Sequence, residues 1–144
     1  LIIAGRLDEP DYVAEIQALA NRLGVSDRLR LTGPVSESEK AWYLRHCEAF
    51  LHPSLAEGFG APVVEAMQFG KPLFLSNRTS LPEIAAGVGF FFTDFHPDKM
   101  RQVLQEGMLS FNANGMAEAI RRKSREYDWA QKAKDYLAVY ESML

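Results

Sequence analysis

His52-Pro53-Ser54-Leu55-Ala56-Glu57-Gly58-Phe59-Gly60-Ala61-Pro62-Val63-Val64-Glu65-Ala66-Met67 leads from a short apolar run, through a loop with two glycines, into a helix. Gly58 and Gly60 let the backbone approach a ligand with no Cβ in the way. Pro62 suits the first helical position, where no N–H is needed, and the amides after it face outward at the positive end of the helix dipole. That is a ready anion site, able to hold a pyrophosphate without a metal. Glu57 and Glu65 stand eight positions apart. A carboxylate accepts two hydroxyl hydrogen bonds at once, as a vicinal diol offers. The spacing predicts Glu57 on a hexose and Glu65 on a ribose, with the pyrophosphate between them. Each part also has an ordinary reading: an acid in a helix's first turn suits the dipole, and two glycines can mark a plain turn. The pattern Glu-Gly-Phe-Gly-x-Pro-x-x-Glu-Ala after a strand is more specific than either part.

Outward from this segment, short apolar runs alternate with helical periodicity. Leu1–Ala4, Leu29–Thr32, Ala49–His52, Leu73–Ser76 and Val88–Phe92 read as buried parallel strands. Between them, Val13, Ile16, Leu19 and Leu23 recur at helical spacing after Pro10 and before Gly24. Ser36-Glu37-Ser38-Glu39 is a capping box ahead of a helix with Trp42, Tyr43 and Leu44, and Ser80-Leu81-Pro82-Glu83 reads as another. A helix from Pro62 to Phe69 is closed by Gly70, and a further one follows Pro97 with Met100, Val103, Leu104 and Met108 on one side. Trp129, Ala133, Tyr136, Leu137, Tyr140 and Leu144 form an amphipathic stripe in the tail, either core packing or docking onto another domain. The alternation predicts a Rossmann-like parallel sheet with helices on both faces. Lacking linkers and repeats, the chain reads as one unit. Its opening inside a core strand predicts a fragment of a longer chain whose first strand and helix lie upstream. Ligands bind beyond the carboxyl ends of such strands, which directs attention to Gly33–Val35, Pro53–Ala61 and Asn77–Ser80.

The 144 residues are 47% hydrophobic and 24% charged, the balance of one globular domain with a real core. A formal charge of −3 argues against a general nucleic-acid binder. The single Cys47 excludes an internal disulfide and a multi-cysteine zinc site, and His46, His52 and His96 lack the spacing of a helical metal pair. No charged start followed by an apolar run marks a secretory signal, and a reducing, cytoplasmic compartment is the expectation.

The segment His52–Met67 resembles the E-x7-E signature of the group 1 glycosyltransferases, retaining enzymes of family four with the GT-B fold. Gly70-Lys71-Pro72-Leu73 is similar to the turn and strand that follow the signature, and Ser80-Leu81-Pro82-Glu83 to the family's "s-l-P-E" element. Leu31–Ser36 resembles the strand and loop that meet the nucleotide base, and Asp128-Trp129-Ala130 with Ala133 the closing helix. The resemblance implies the C-terminal, nucleotide-sugar-binding half of a GT-B fold over residues 1–144. It implies that Glu57 acts on the donor sugar's hydroxyls near the reaction centre and that Glu65 takes the ribose. The amides of Gly58, Phe59 and Gly60 would lie against the sugar, those near Val64 against the phosphates, and the main chain near Val35 on the base. Lys40 matches a position that meets the nucleotide in some members, with an exposed helix lysine as the alternative. The implied donor is a nucleoside diphosphate sugar, with no metal or other cofactor. The acceptor, a saccharide or lipid-linked glycan, would belong to an N-terminal domain outside the chain. The basic residues that hold the diphosphate in the family also lie upstream of Leu1.

Arg6 and Arg78 follow strand ends and are candidates for anionic groups, a solvated arginine being the alternative. His52 reads as a satisfied histidine rather than a general base, Glu83 as a helix cap acting through Ser80, and Phe90-Phe91-Phe92 as buried. Arg121-Arg122-Lys123 with Arg125 reads as a solvated helix face. Peripheral contact with the inner face of the membrane stays open to the longer enzyme. Two other classes stay open: an epimerase- or phosphorylase-like GT-B domain, and a non-catalytic flavodoxin-like regulator. The first shares the architecture without the two-glutamate loop; the second would need an acidic cluster at strand ends, which is not found.

Overall fold

Parallel strands covered on both faces are written as unbroken apolar runs, and each of the five runs becomes a strand in the computed structural model, which describes residues 1–143. The chain divides into two compact units, Leu1–Tyr43 and Leu44–Leu144. This differs from the single unit expected. The division falls inside a helix, where no Gly, Pro or polar run marks it in the sequence.

The first unit holds strand β1 (Ile2–Ala4), helix α1 (Pro10–Arg22), a 3-10 turn at Ser26–Arg28 and strand β2 (Arg30–Gly33). β1 and β2 pair in parallel, Ile2 opposite Arg30 and Ile3 opposite Leu31. In α1, Val13 and Ile16 are half-buried and Ala20 is buried, whereas Leu19 and Leu23 are exposed. The covered face thus runs 13-16-20 rather than along the leucines. Helix α2 (Glu37–His46) begins with the expected capping box: the Ser36 amide donates to Glu39 Oε2 at 2.8 Å and the Glu39 amide to Ser36 Oγ at 3.3 Å.

The second unit is a three-stranded parallel sheet, β3 (Phe50–His52), β4 (Leu73–Ser76) and β5 (Gly89–Phe92), in the order β3-β4-β5. The helices are α3 (Ala61–Gln68), α4 (Leu81–Ile84), α5 (Pro97–Asn114), α6 (Ala117–Ser124) and α7 (Trp129–Ser142). Every residue of the central β4 is buried. Its side chains alternate between faces. Leu73 and Leu75 join Val63, Met67, Leu81, Ile84 and Ile120 in a core beneath α3, α4 and α6. Phe74 stacks on Phe90 and Phe92 at centroid distances of 5.2 and 6.3 Å, on the side that α5 covers. Phe92 is fully buried, but Phe90 and Phe91 are only half-buried, because β5 ends the strand order.

α5 comes this close to the sheet through Gly107. A Cβ there would lie 2.5 Å from Phe74 Cε1 and 2.8 Å from Phe90 Cγ. Gly107→Ala gains helix propensity but overpacks two rings in a dense core, and is expected to lower unfolding stability by about 2 kcal/mol. A urea midpoint equal to or above that of the wild type would contradict this.

Of the two readings of the tail, core packing is the one the structure removes. No residue of α7 is buried, and Trp129, Tyr136, Leu137 and Tyr140 are exposed, so the stripe is not core packing. Periodicity fixes which face of a helix is apolar, not what covers it. Leu144 lies outside the described residues. Among the described residues no helix is long and apolar enough to cross a membrane.

Candidate functional site

The β3 strand delivers its last residue, His52, to a loop that ends at Gly60, the residue before α3. Gly60 has φ +92°, and a Cβ on it would lie 2.9 Å from Leu81 Cδ2. Glycine is therefore required by backbone and packing together. Gly58 is different: nothing lies within 4 Å of its Cβ position, so the loop is open there. Phe59 is exposed and sets its ring edge-on to Tyr127 at 5.7 Å. The Tyr127 hydroxyl donates to the Ile84 carbonyl at 3.3 Å.

α3 starts one residue earlier than its proline suggested. Ala61 is the first helical residue and Pro62 the second, so Glu65 sits beyond the first turn, which contains no acid. A helix-dipole role for Glu65 is thereby removed, since that effect fades within one turn. No side chain caps the α3 N-terminus. Pro62 has no amide, the Val63 amide donates to the Gly60 carbonyl at 2.9 Å, and the Ala61 amide, at the first position, has no partner within the helix. Val64, fourth in the helix, is buried, while Glu65 is half-buried with Oε2 shielded from solvent.

Glu57 is held by its neighbours. His52 Nε2 lies 2.8 Å from Glu57 Oε1, both side chains being about three-quarters buried, at 22% and 25% exposure. The His52 ring also stacks on Phe50. The histidine is thus satisfied, as expected, but by the site carboxylate itself. The nearby Ser54 hydroxyl, and after it His52, hold the Glu57 carboxyl below the ordinary carboxylate range against the opposing pull of partial burial. The Glu57 amide donates to Thr79 Oγ1 at 3.2 Å.

The second predicted capping box does not form. Ser80 is already helical, at φ −78° and ψ −16°, and its hydroxyl caps nothing. It donates instead to the Phe59 carbonyl at 3.0 Å, so Glu83 is not capped through it. A capping hydroxyl accepts from first-turn amides off an extended backbone, and the helical backbone at Ser80 does not hold it there.

In the first unit, Val35 is half-buried between β2 and α2, and Lys40 Nζ is 2.8 Å from Glu37 Oε2. Arg6 pairs with Asp8 at 2.8 Å. In the second unit, Arg78 is exposed in the loop after β4. In the basic cluster of α6 and the turn after it, Arg121 and Arg125 lie 3.5 and 3.6 Å from Glu118, and Lys123 lies 2.6 Å from Glu126. That supports the solvated-face reading. Burial pushes the Cys47 thiol up. Among the described residues no three His, Cys, Asp or Glu side chains gather where they could hold a metal ion.

Sequence reasoning placed Asn77–Ser80 at the mouth of the site but missed what its hydroxyls do. Ser and Thr after a strand were the available signal; which backbone atom each would reach was not written in the spacing.

Residues 1–127 match the family described as glycosyl transferases group 1. The serotype-specific mannosyltransferase WbdA of Escherichia coli is 32% identical over 128 residues, covering 87% of this chain and 16% of WbdA. The MMP alpha-(1->4)-mannosyltransferase of Mycolicibacterium hassiacum is 32% identical over 133 residues, covering 89% of this chain and 32% of that protein. Among solved structures, Anabaena Alr3699/HepE in complex with UDP-glucose superposes with a TM-score of 0.83 at 23% identity, over 99% of this chain and 40% of HepE. The chain therefore spans well under half the length of these relatives.

Proposed function

The chain belongs to the glycosyl transferases group 1 family, and on that premise we propose that it is the C-terminal, nucleotide-sugar-binding half of a longer retaining glycosyltransferase. The parent moves a hexose from a nucleoside diphosphate sugar to a hydroxyl of a saccharide or lipid-linked acceptor, and the acceptor is held by a second domain. The observation that carries this reading is the loop-to-helix segment. An ionised Glu57 stands at its start, an uncapped helix N-terminus in its middle, and a half-buried Glu65 one turn into the helix.

Each residue then has a physical task. Glu57 accepts hydrogen bonds from the sugar's hydroxyls and stays charged as positive character grows at the anomeric carbon. The open backbone at Gly58 and Phe59, with Gly60 forcing the turn, lets the donor approach. The helix dipole and the Ala61 amide at the start of α3, three residues ahead of Val64, face the diphosphate as its charge grows on departure. Glu65 takes the ribose hydroxyls. We propose no metal or other cofactor for this half, the positive end of the α3 dipole being what it offers the diphosphate. Nucleic acid is not a partner. Cytoplasmic action, with contact at the inner membrane face through the longer enzyme, fits the reading.

The test is a thermal-shift panel of UDP, GDP, ADP and their sugars on this chain, with flavin and acetyl phosphate as controls. One nucleotide class is expected to raise the unfolding temperature, since ligand at about 100 times its Kd adds about 2.7 kcal/mol. The chain alone should show no sugar transfer. A flat response to every nucleotide, or a shift with flavin only, overturns the reading.

A further inference from the structure

Three hydroxyls from one segment bind the backbone of the loop that carries Glu57. Ser76 Oγ, at the end of β4, donates to the Ser54 carbonyl; Thr79 Oγ1 accepts from the Glu57 amide at 3.2 Å; Ser80 Oγ donates to the Phe59 carbonyl at 3.0 Å. The middle member sits in an unusual backbone. Thr79 has φ +50°, and among the described residues no other non-glycine has positive φ. A β-branched residue disfavours that region, where glycine would sit without strain. A cost retained beside a binding loop points to something its side chain supplies there.

We propose that Thr79 is a positioning residue for Glu57, its hydroxyl fixing the Glu57 main chain so that the carboxylate meets the donor sugar in one orientation. The inference rests on the proposed function of the site. The logic is a two-point hold. His52 fixes the side chain at Oε1, Thr79 fixes the main chain at the amide, and Ser76 and Ser80 pin the loop on either side. With only the His52 contact, the glutamate could pivot, because Gly58 after it offers no packing to stop rotation. Near a reacting centre, small misplacements cost rate more than they cost binding.

Three substitutions separate this from a turn-forming role. Thr79→Gly keeps the positive φ at lower strain but loses the hydroxyl; Thr79→Val keeps the branched shape and loses it; Thr79→Ser keeps it. In the longer enzyme, Gly and Val are expected to lower kcat about 5- to 10-fold, with the donor KM within about twofold, and Ser to restore it. In this chain, hydrogen exchange at the Glu57 amide should speed up in Gly and Val and not in Ser. If Val fails to fold, Gly carries the test alone. Wild-type kcat in Thr79→Gly overturns the proposal, as does an equal loss in Thr79→Ser. If the wild type binds no nucleotide, the site reading fails first and visibly, before any variant is compared, and the role of Thr79 falls with it.

Discussion

Glu65→Ala in this chain is expected to weaken binding of the matching nucleoside diphosphate about 10- to 100-fold, measured by titration calorimetry. A hydrogen bond to a charged partner contributes about 1.5–3 kcal/mol, and about 1.4 kcal/mol is a factor of ten in affinity. The position of Glu65 makes the test clean. It lies past the first turn of α3, so its removal does not weaken a dipole interaction that could be mistaken for ligand binding. Alanine favours the helix, so the denaturation midpoint should not collapse. Glu65→Gln, which keeps one acceptor, should fall between. Unchanged affinity in Glu65→Ala would take the residue out of the site and leave α3 as an ordinary core helix.

The sequence exposed what depends on apolar periodicity and on local backbone chemistry. The five strands, the order of helices and the Ser36 capping box all follow from rules that act within a few residues. What stayed hidden was decided by partners distant in the chain. Ser80 has the right type and spacing for a cap, yet folding sets its backbone in the helical region and turns its hydroxyl to the Phe59 carbonyl. His52 gave no hint of meeting Glu57, because a five-residue separation across a loop has no fixed geometry, unlike one within a helix. The stripe of α7 shows the opposite limit. Its pattern is legible and its helix forms, yet none of its residues is buried. The positive φ of Thr79 contradicts its propensity. Such local conflicts mark the places where a fold gives up stability for function.

Glu57→Gln should separate the two glutamates. In the longer enzyme, kcat is expected to fall about 100-fold or more while affinity for the bare nucleotide stays within about twofold. Glutamine preserves shape: its Oε1 still accepts from His52, and the main-chain amide still reaches Thr79. The charge is what disappears. That charge is present at neutral pH, because Ser54 and His52 hold the carboxyl below its ordinary range. The sign for stability follows. A carboxyl depressed in the folded state contributes stability above its unfolded pKa, and that contribution is lost as pH falls through the lowered folded value. Any acid limb of activity owed to Glu57 must therefore lie below the usual glutamate range and vanish in Glu57→Gln. If the variant instead kept kcat within twofold, the sugar-facing role would pass to another group. If it lost nucleotide affinity as severely as Glu65→Ala, the carboxylates would share one task, and the division between sugar and ribose would be wrong.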